Sequence, residues 1–134
     1  MSQAIDWDRL FAEAASARER AYAPYSKFQV GAALLFEGGR ILTGCNVENA
    51  SYGLSMCAER NALGRAVVEG AGRPLAVAII ADSEQPCPPC GACRQVIFEL
   101  LSPDAPVRTR NLAGAERQHT VSELLPDAFS KTFL

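Results

Sequence analysis

The sequence has no surplus of positive charge, no long apolar run and no hydrophobic leader, and each absence removes a class of function. Thirteen Lys and Arg stand against fifteen Asp and Glu, for a formal net charge of -2 and a pI near 5.4. Polynucleotide binders need a basic stripe that tracks phosphates, or an extended basic and aromatic surface for single strands, and the chain has neither. A small, weakly charged substrate suits it better. The longest apolar run is residues 75–81, far short of the roughly 20 apolar residues that a membrane-crossing helix needs. The first ten residues include Asp6 and Asp8 and no apolar core, so a signal peptide is not expected. Neither nucleic acid nor membrane is expected as a partner.

What is present is cysteine. There are five, an odd number, and four of them (Cys57, Cys87, Cys90, Cys93) are closely spaced. That pattern argues against a secreted disulfide framework and for metal or redox chemistry in a reducing cytoplasm. At 134 residues and 49% hydrophobic, the chain fits one catalytic domain over residues 1–134, with room for a central sheet covered by helices.

Apolar residues at helical spacing predict a first helix over residues 4–21, ending near Tyr22. Residues 30–36 and 40–47 flank Glu37, Gly38 and Gly39 and read as a β-hairpin. Residues 57–69 form a second helix that stops at Gly70. Residues 75–81, rich in Val and Ile and too short for a helix, read as a central strand buried on both faces. A third helix is expected to start near Pro89 and run to Pro103, Pro being well tolerated at a first helical position. Short strands near 107–111 and 118–121 and a Ser122-led helical turn complete the reading. Strands alternating with helices suggest an α/β sandwich.

Cys90 and Cys93 form a C-x-x-C pair at a helix start, with both sulfurs on one face and the helix N-terminus favouring thiolates. Cys57 opens another helix and supplies a third sulfur if the two helix starts converge. Three protein ligands leave one tetrahedral position for water, the mark of a catalytic zinc; a structural zinc has four. Glu59, two residues from Cys57, can take the proton that zinc makes labile on that water. Three thiolates leave one excess negative charge on zinc, so a cation is expected nearby, with Arg60 favoured over Arg94 to hydrogen-bond the sulfurs. Cys87 and Cys45 are the remaining candidates for a fourth ligand, but Pro88 and Pro89 hold Cys87 in an extended loop outside the helix turn, and Cys45, midway in an apolar strand, reads as a small buried hydrophobe. Cys87-Pro88-Pro89-Cys90 makes a second, overlapping C-x-x-C, and a redox role for either pair also remains open. His119, the sole histidine, reads as a surface strand residue rather than a ligand.

Cys57-Ala58-Glu59 with Pro89-Cys90-Gly91-Ala92-Cys93 matches the zinc deaminase signature, in the variant that carries cysteine where other members have histidine. The stretch Gly44-Cys45-Asn46-Val47-Glu48-Asn49-Ala50-Ser51-Tyr52 and the block 89–96 closely resemble the homotetrameric cytidine deaminases. So do Pro24, Tyr25, Ser26 and Phe28 near the front and Glu123, Leu124, Leu125, Pro126 and Phe129 near the end. The resemblance implies a three-layer α/β/α sandwich around a mixed, roughly five-stranded sheet. It also implies one Zn²⁺ per subunit and hydrolytic deamination of free cytidine and deoxycytidine in pyrimidine salvage. Carried over by position, it implies Phe28 stacking on the pyrimidine, Asn46 and Glu48 bonding the ribose 3′-hydroxyl, and the Ala58 N–H meeting the base carbonyl. Tyr52 and Phe129 are implied to reach a neighbouring subunit's site in a homotetramer. Pro88 departs from the serine common there in the family, and Cys87 is an extra thiol.

Each residue also has a plainer reading. Phe28 can be a core aromatic, Asn46 and Glu48 can decorate a strand end, and Tyr25 and Ser26 are ordinary turn chemistry. Two other functions stay open on the sequence. One is a deaminase acting on a nucleoside-like antibiotic such as blasticidin S; the other is a non-catalytic zinc-stabilised binding module in which Cys87 or Cys45 completes the metal sphere.

Overall fold

In the computed structural model, which describes residues 4–134, five strands form one mixed sheet of order β2-β1-β3-β4-β5. Positions 1–3 of the expected domain lie outside the described residues. Strands β1 (Val30–Leu35), β2 (Ile41–Cys45), β3 (Ala76–Ala81), β4 (Pro106–Asn111) and β5 (Glu116–Thr120) alternate with helices α1 (Trp7–Arg18), α2 (Ala58–Val68), α3 (Gly91–Leu100) and the single turn α4 (Val121–Leu124). The result is the three-layer α/β/α sandwich that the resemblance implies.

Strand β3 is central and every one of its residues is buried. Its side chains alternate faces, as the period of two requires. Ala76, Ala78 and Ile80 meet Leu10, Phe11 and Ala14 of α1, while Val77 and Ile79 join Leu63 of α2 and Ile97 of α3 on the opposite face. Leu34, Leu63, Ile79 and Ile97 are all but inaccessible to solvent; burial of each contributes about 1.5–3 kcal/mol. The α1 face is lined by alanines because the helix lies very close. At Gly31 an added Cβ would fall 1.9 Å from the Ala14 carbonyl oxygen, so only glycine admits the helix there.

Register and direction decide where the chemistry gathers. β2 and β3 both pair antiparallel with β1, and therefore run parallel to each other. The chain leaves β2 into α2 and leaves β3 into α3, so both helices start beyond the same edge of the sheet. In open α/β sheets this carboxyl edge is where functional sites form.

Several element boundaries differ from the sequence reading, each for a tertiary or capping reason. α1 spans Trp7–Arg18 instead of 4–21. The Asp6 carboxylate caps it by accepting from Arg9 N–H at 3.1 Å. At the other end, Tyr22 N–H is taken by the Asn46 carbonyl, and Tyr22 and Val47 form an isolated parallel bridge. β2 ends at Cys45 and not Val47, because Val47 also bridges Met56. α3 begins at Gly91 with Cys90 as its N-cap, two residues beyond the expected Pro89 start. The last turn is led by Thr120 and not Ser122: a capping box joins Thr120 and Glu123 reciprocally. Among the described residues no helix is long and apolar enough to cross a membrane.

Candidate metal centre and active site

Cys57 caps α2 and Cys90 caps α3, both in extended conformation, while Cys93 sits in the first turn of α3. Their carbonyls accept the first helical bonds, from Asn61 N–H at 3.1 Å and Arg94 N–H at 3.0 Å. The two helix starts thereby aim three sulfurs at one point. All three Sγ atoms lie within 4.8 Å of one another, and Cys57 Sγ is 3.6 Å from Cys90 Sγ. Two sulfurs on a tetrahedral zinc, each ~2.3 Å from it, are ~3.8 Å apart, so the spacing fits the ion. Three soft thiol donors at helix N-termini fit it chemically as well.

Cys93 is buried, Cys57 half-buried and Cys90 exposed. Among the thiols the proton is unequally held. Cys57 is lowered to about 5, first by the neighbouring Cys93 thiol and then by Arg60 and Cys90. Cys93, which keeps the proton and is buried, is pushed well above the ordinary thiol value. A divalent ion resolves the competition by favouring all three thiolates. Arg60 Nη2 reaches Cys57 Sγ at 3.6 Å, while its Nε is buried without an acceptor. Arg94 turns away instead, donating to the Pro89 carbonyl at 2.8 Å and the Leu124 carbonyl at 3.0 Å. It ties the approach to α3 to the turn α4.

Glu59 lies in the first turn of α2 and is only 4% exposed. Burial, helped by the charge on Cys57, pushes its carboxyl up to about 7. A carboxylate so situated is suited to taking and returning a proton near neutral pH. Ala58, fully buried, is the first helical residue, and its N–H has no carbonyl partner within its own helix.

Neither extra thiol joins the cluster. Cys87 is half-buried in the loop before α3, with its thiol raised by burial and directed weakly at the Pro88 carbonyl, 3.7 Å away. The Asn111 side chain holds that loop by donating to the Glu84 carbonyl at 2.9 Å. Cys45 is half-buried rather than the buried hydrophobe expected; its carbonyl accepts from Asn61 Nδ2 at 2.8 Å, fastening β2 to α2. His119 lies on β5 opposite Val107.

The remaining expected residues gather around the segment that enters β1. Phe28 is half-buried there. Asn46 brackets it, donating Nδ2 to the Phe28 carbonyl and accepting Val30 N–H at Oδ1, both at 2.8 Å. Glu48 accepts from Tyr25 N–H at 3.0 Å, from Ser26 N–H at 3.1 Å and from the Ser26 hydroxyl. Tyr52 is 75% exposed on a short 3-10 turn and meets Tyr25 edge-on, with ring centroids 6.1 Å apart. Tyr25, Ser26, Glu48, Tyr52 and Ser55 line an open cleft of about 360 Å³. Phe129 is 61% exposed, stacks on Phe133, and accepts from Gln95 Nε2 at its carbonyl.

The sequence reading took Ser26 for turn chemistry, without a place in the site, and passed over Ser55. The signal for Ser26 was its place two residues before an aromatic, the spacing at which a serine hydroxyl caps a backbone N–H.

Comparison with known proteins bears on the same residues. Positions 5–107 match the family described as the cytidine and deoxycytidylate deaminase zinc-binding region. Over 126 residues the chain is 55% identical to the cytidine deaminase of Halalkalibacterium halodurans, covering 94% of this chain and 96% of that one. It is 53% identical to the cytidine deaminase of Sporosarcina psychrophila, covering 95% and 93%. Among solved structures, the cytidine deaminase of Burkholderia pseudomallei superposes with a TM-score of 0.90 at 48% identity, covering 93% of this chain and all of that one.

Proposed function

Because the chain belongs to the cytidine and deoxycytidylate deaminase family, we propose that it hydrolyses free cytidine and deoxycytidine to uridine and deoxyuridine plus ammonia, a step of pyrimidine salvage. The observation that carries the reading is the convergence of three sulfurs within 4.8 Å at two helix starts, with the buried Glu59 one residue inside α2. Zinc held by Cys57, Cys90 and Cys93 supplies one thing: it brings the pKa of a bound water from that of bulk water to near 7.

The chain's own groups do the rest. Glu59 takes a proton from the attacking water and passes it to ring N3 of the base, which makes the amine-bearing carbon electrophilic. The second proton of the water follows the same carboxylate to the departing amine, which leaves as ammonia. Water and nucleoside are consumed one for one, and no redox partner is needed. Ala58 N–H binds the base carbonyl, and Phe28 stacks on the pyrimidine. Asn46 and Glu48 bind the ribose 3′-hydroxyl. Asn46 keeps one N–H and one lone pair beyond its bonds to Phe28 and Val30, which supports its role. Arg60 offsets the excess negative charge of the thiolates.

Residues 1–134 act as one catalytic domain with one zinc per subunit. Tyr52 and Phe129 complete the site of a neighbouring subunit in a homotetramer; their large solvent-facing rings support this. A cytoplasmic location suits an odd set of thiols that must stay reduced to hold a metal. Ultraviolet monitoring of cytidine loss tests the reading. Zinc-loaded protein should convert cytidine and deoxycytidine, and a strong chelator should abolish the conversion. A zinc-loaded protein inert toward both nucleosides would overturn it.

A further inference from the structure

The segment carrying Phe28 is held by a relay through one hydroxyl. Ser26 Oγ accepts the Phe28 N–H at 3.0 Å and donates its own hydrogen to Glu48 Oε2. Glu48 Oε1 accepts the Tyr25 and Ser26 N–H groups at 3.0 and 3.1 Å, so both carboxylate oxygens are directed at this one turn. Between Ser26 and Phe28, Lys27 takes a φ of 61°, left-handed backbone that a residue with a Cβ adopts only when its surroundings impose it. The Phe28 carbonyl is fixed separately by Asn46. Ser26 itself is exposed and belongs to no hydrophobic cluster.

A hydroxyl can accept and donate at once, which is what the relay needs. Alanine can do neither, and a thiol does both weakly. Without the hydroxyl, the Phe28 N–H and one Glu48 oxygen return to water, and the ring and the carboxylate no longer share a fixed geometry. Order lost in the free protein must then be restored on binding. The same bond is the largest influence holding the Glu48 carboxyl below its ordinary range.

Resting on the nucleoside reading above, we propose that Ser26 is a positioning residue for the substrate: its hydroxyl locks the base-stacking ring of Phe28 and the ribose-binding carboxylate of Glu48 into one geometry. Ser26 touches neither the sulfur cluster nor Glu59, which sit on α2 and α3. Its contribution is therefore to binding shared by ground state and transition state, which shows in KM and not in kcat.

Steady-state kinetics of zinc-loaded protein with cytidine tests this. Ser26→Ala should raise KM roughly tenfold or more, the scale of a hydrogen bond to a charged group, with kcat within about twofold. Zinc content should match the parent. Ser26→Thr, which keeps the hydroxyl, should bring KM back to within about threefold of the parent. If Ser26→Ala does not fold, Ser26→Cys stands in for it and should show the same rise in KM. An unchanged KM in the alanine or cysteine variant overturns the proposal, as does equal impairment of the threonine and alanine variants, or a fall in kcat at constant KM. In each of those cases the parent still deaminates cytidine, and the functional reading survives. A parent inert toward nucleosides sinks both.

Discussion

Gly44 on β2 and Ala58 at the start of α2 are in backbone contact: a Cβ on the glycine would sit 2.6 Å from the Ala58 carbonyl oxygen and 2.5 Å from the Ala62 nitrogen. Both atoms are main chain and cannot swing aside. The separation sets how deeply the first turn of α2 seats on the sheet, and that turn bears Cys57, Ala58 and Glu59. Asn61 reinforces the seat through its bond to the Cys45 carbonyl.

Gly44→Ala should therefore destabilise the protein by about 1–3 kcal/mol or more, the cost of overpacking against groups that cannot yield. Gly64 lies in the same helix with open space around its Cα. Gly64→Ala should stabilise by about 0.5–1 kcal/mol, because a helix interior favours alanine. Urea unfolding of zinc-saturated protein measures both, and the two variants moving in the same direction would contradict the close-approach argument.

Glu59→Gln keeps the shape of a buried side chain and removes its capacity to shuttle protons. Zinc content, measured by atomic absorption, should remain stoichiometric while turnover falls by about 10²–10⁴-fold, the usual worth of a positioned acid–base group. Deamination at the parent rate would remove Glu59 from the mechanism.

Arg60→Ala removes the guanidinium from Cys57 Sγ. Partners of this kind are worth about 10–100-fold in metal affinity, and competition against a chromophoric chelator should show a loss of that size. Arg94, which bonds two carbonyls and no sulfur, serves as the contrast: Arg94→Ala should lower stability with little change in zinc affinity. Equal zinc affinity in Arg60→Ala and the parent would end the charge-balancing role.

The Ser26 hydroxyl, followed by the Ser26 and Tyr25 N–H groups, holds the Glu48 carboxyl below its ordinary range. A carboxyl with a depressed native pKa adds stability that is complete above its unfolded value and disappears as pH falls through the native one. The turn at residues 25–28 should therefore stay ordered through neutral and mildly acid pH and loosen only below the ordinary carboxylate range. NMR titration of the Glu48 carboxyl should give a midpoint below that range, moving upward in Ser26→Ala. An ordinary midpoint in the parent would show that the carboxylate is free.

The chemistry was readable because it is written in short range. Cys57-Ala58-Glu59 and Cys90-Gly91-Ala92-Cys93 each occupy a helix start, so capping and helical spacing alone put thiols beside free N–H groups. The continuous apolar run of β3 announced a strand covered on both sides, and the alternation of elements announced the sandwich. Helix ends were less legible: α1 stops at Arg18, and four residues later the Tyr22 N–H is taken by the Asn46 carbonyl, a partner 24 positions away in the chain.

What the amino acids determined locally is which groups can ligate, shuttle protons or cap. What only the tertiary structure decided is which of them meet. β2 and β3 run parallel because both pair with β1, and this alone brings Cys57 to Cys90 and Cys93 while leaving Cys87 and Cys45 outside the cluster. Likewise Ser26 becomes the link between Phe28 and Glu48 only when the end of β2 folds back beside the entrance to β1. Strand direction and register are set by pairings between distant segments, and no local pattern of residues encodes them.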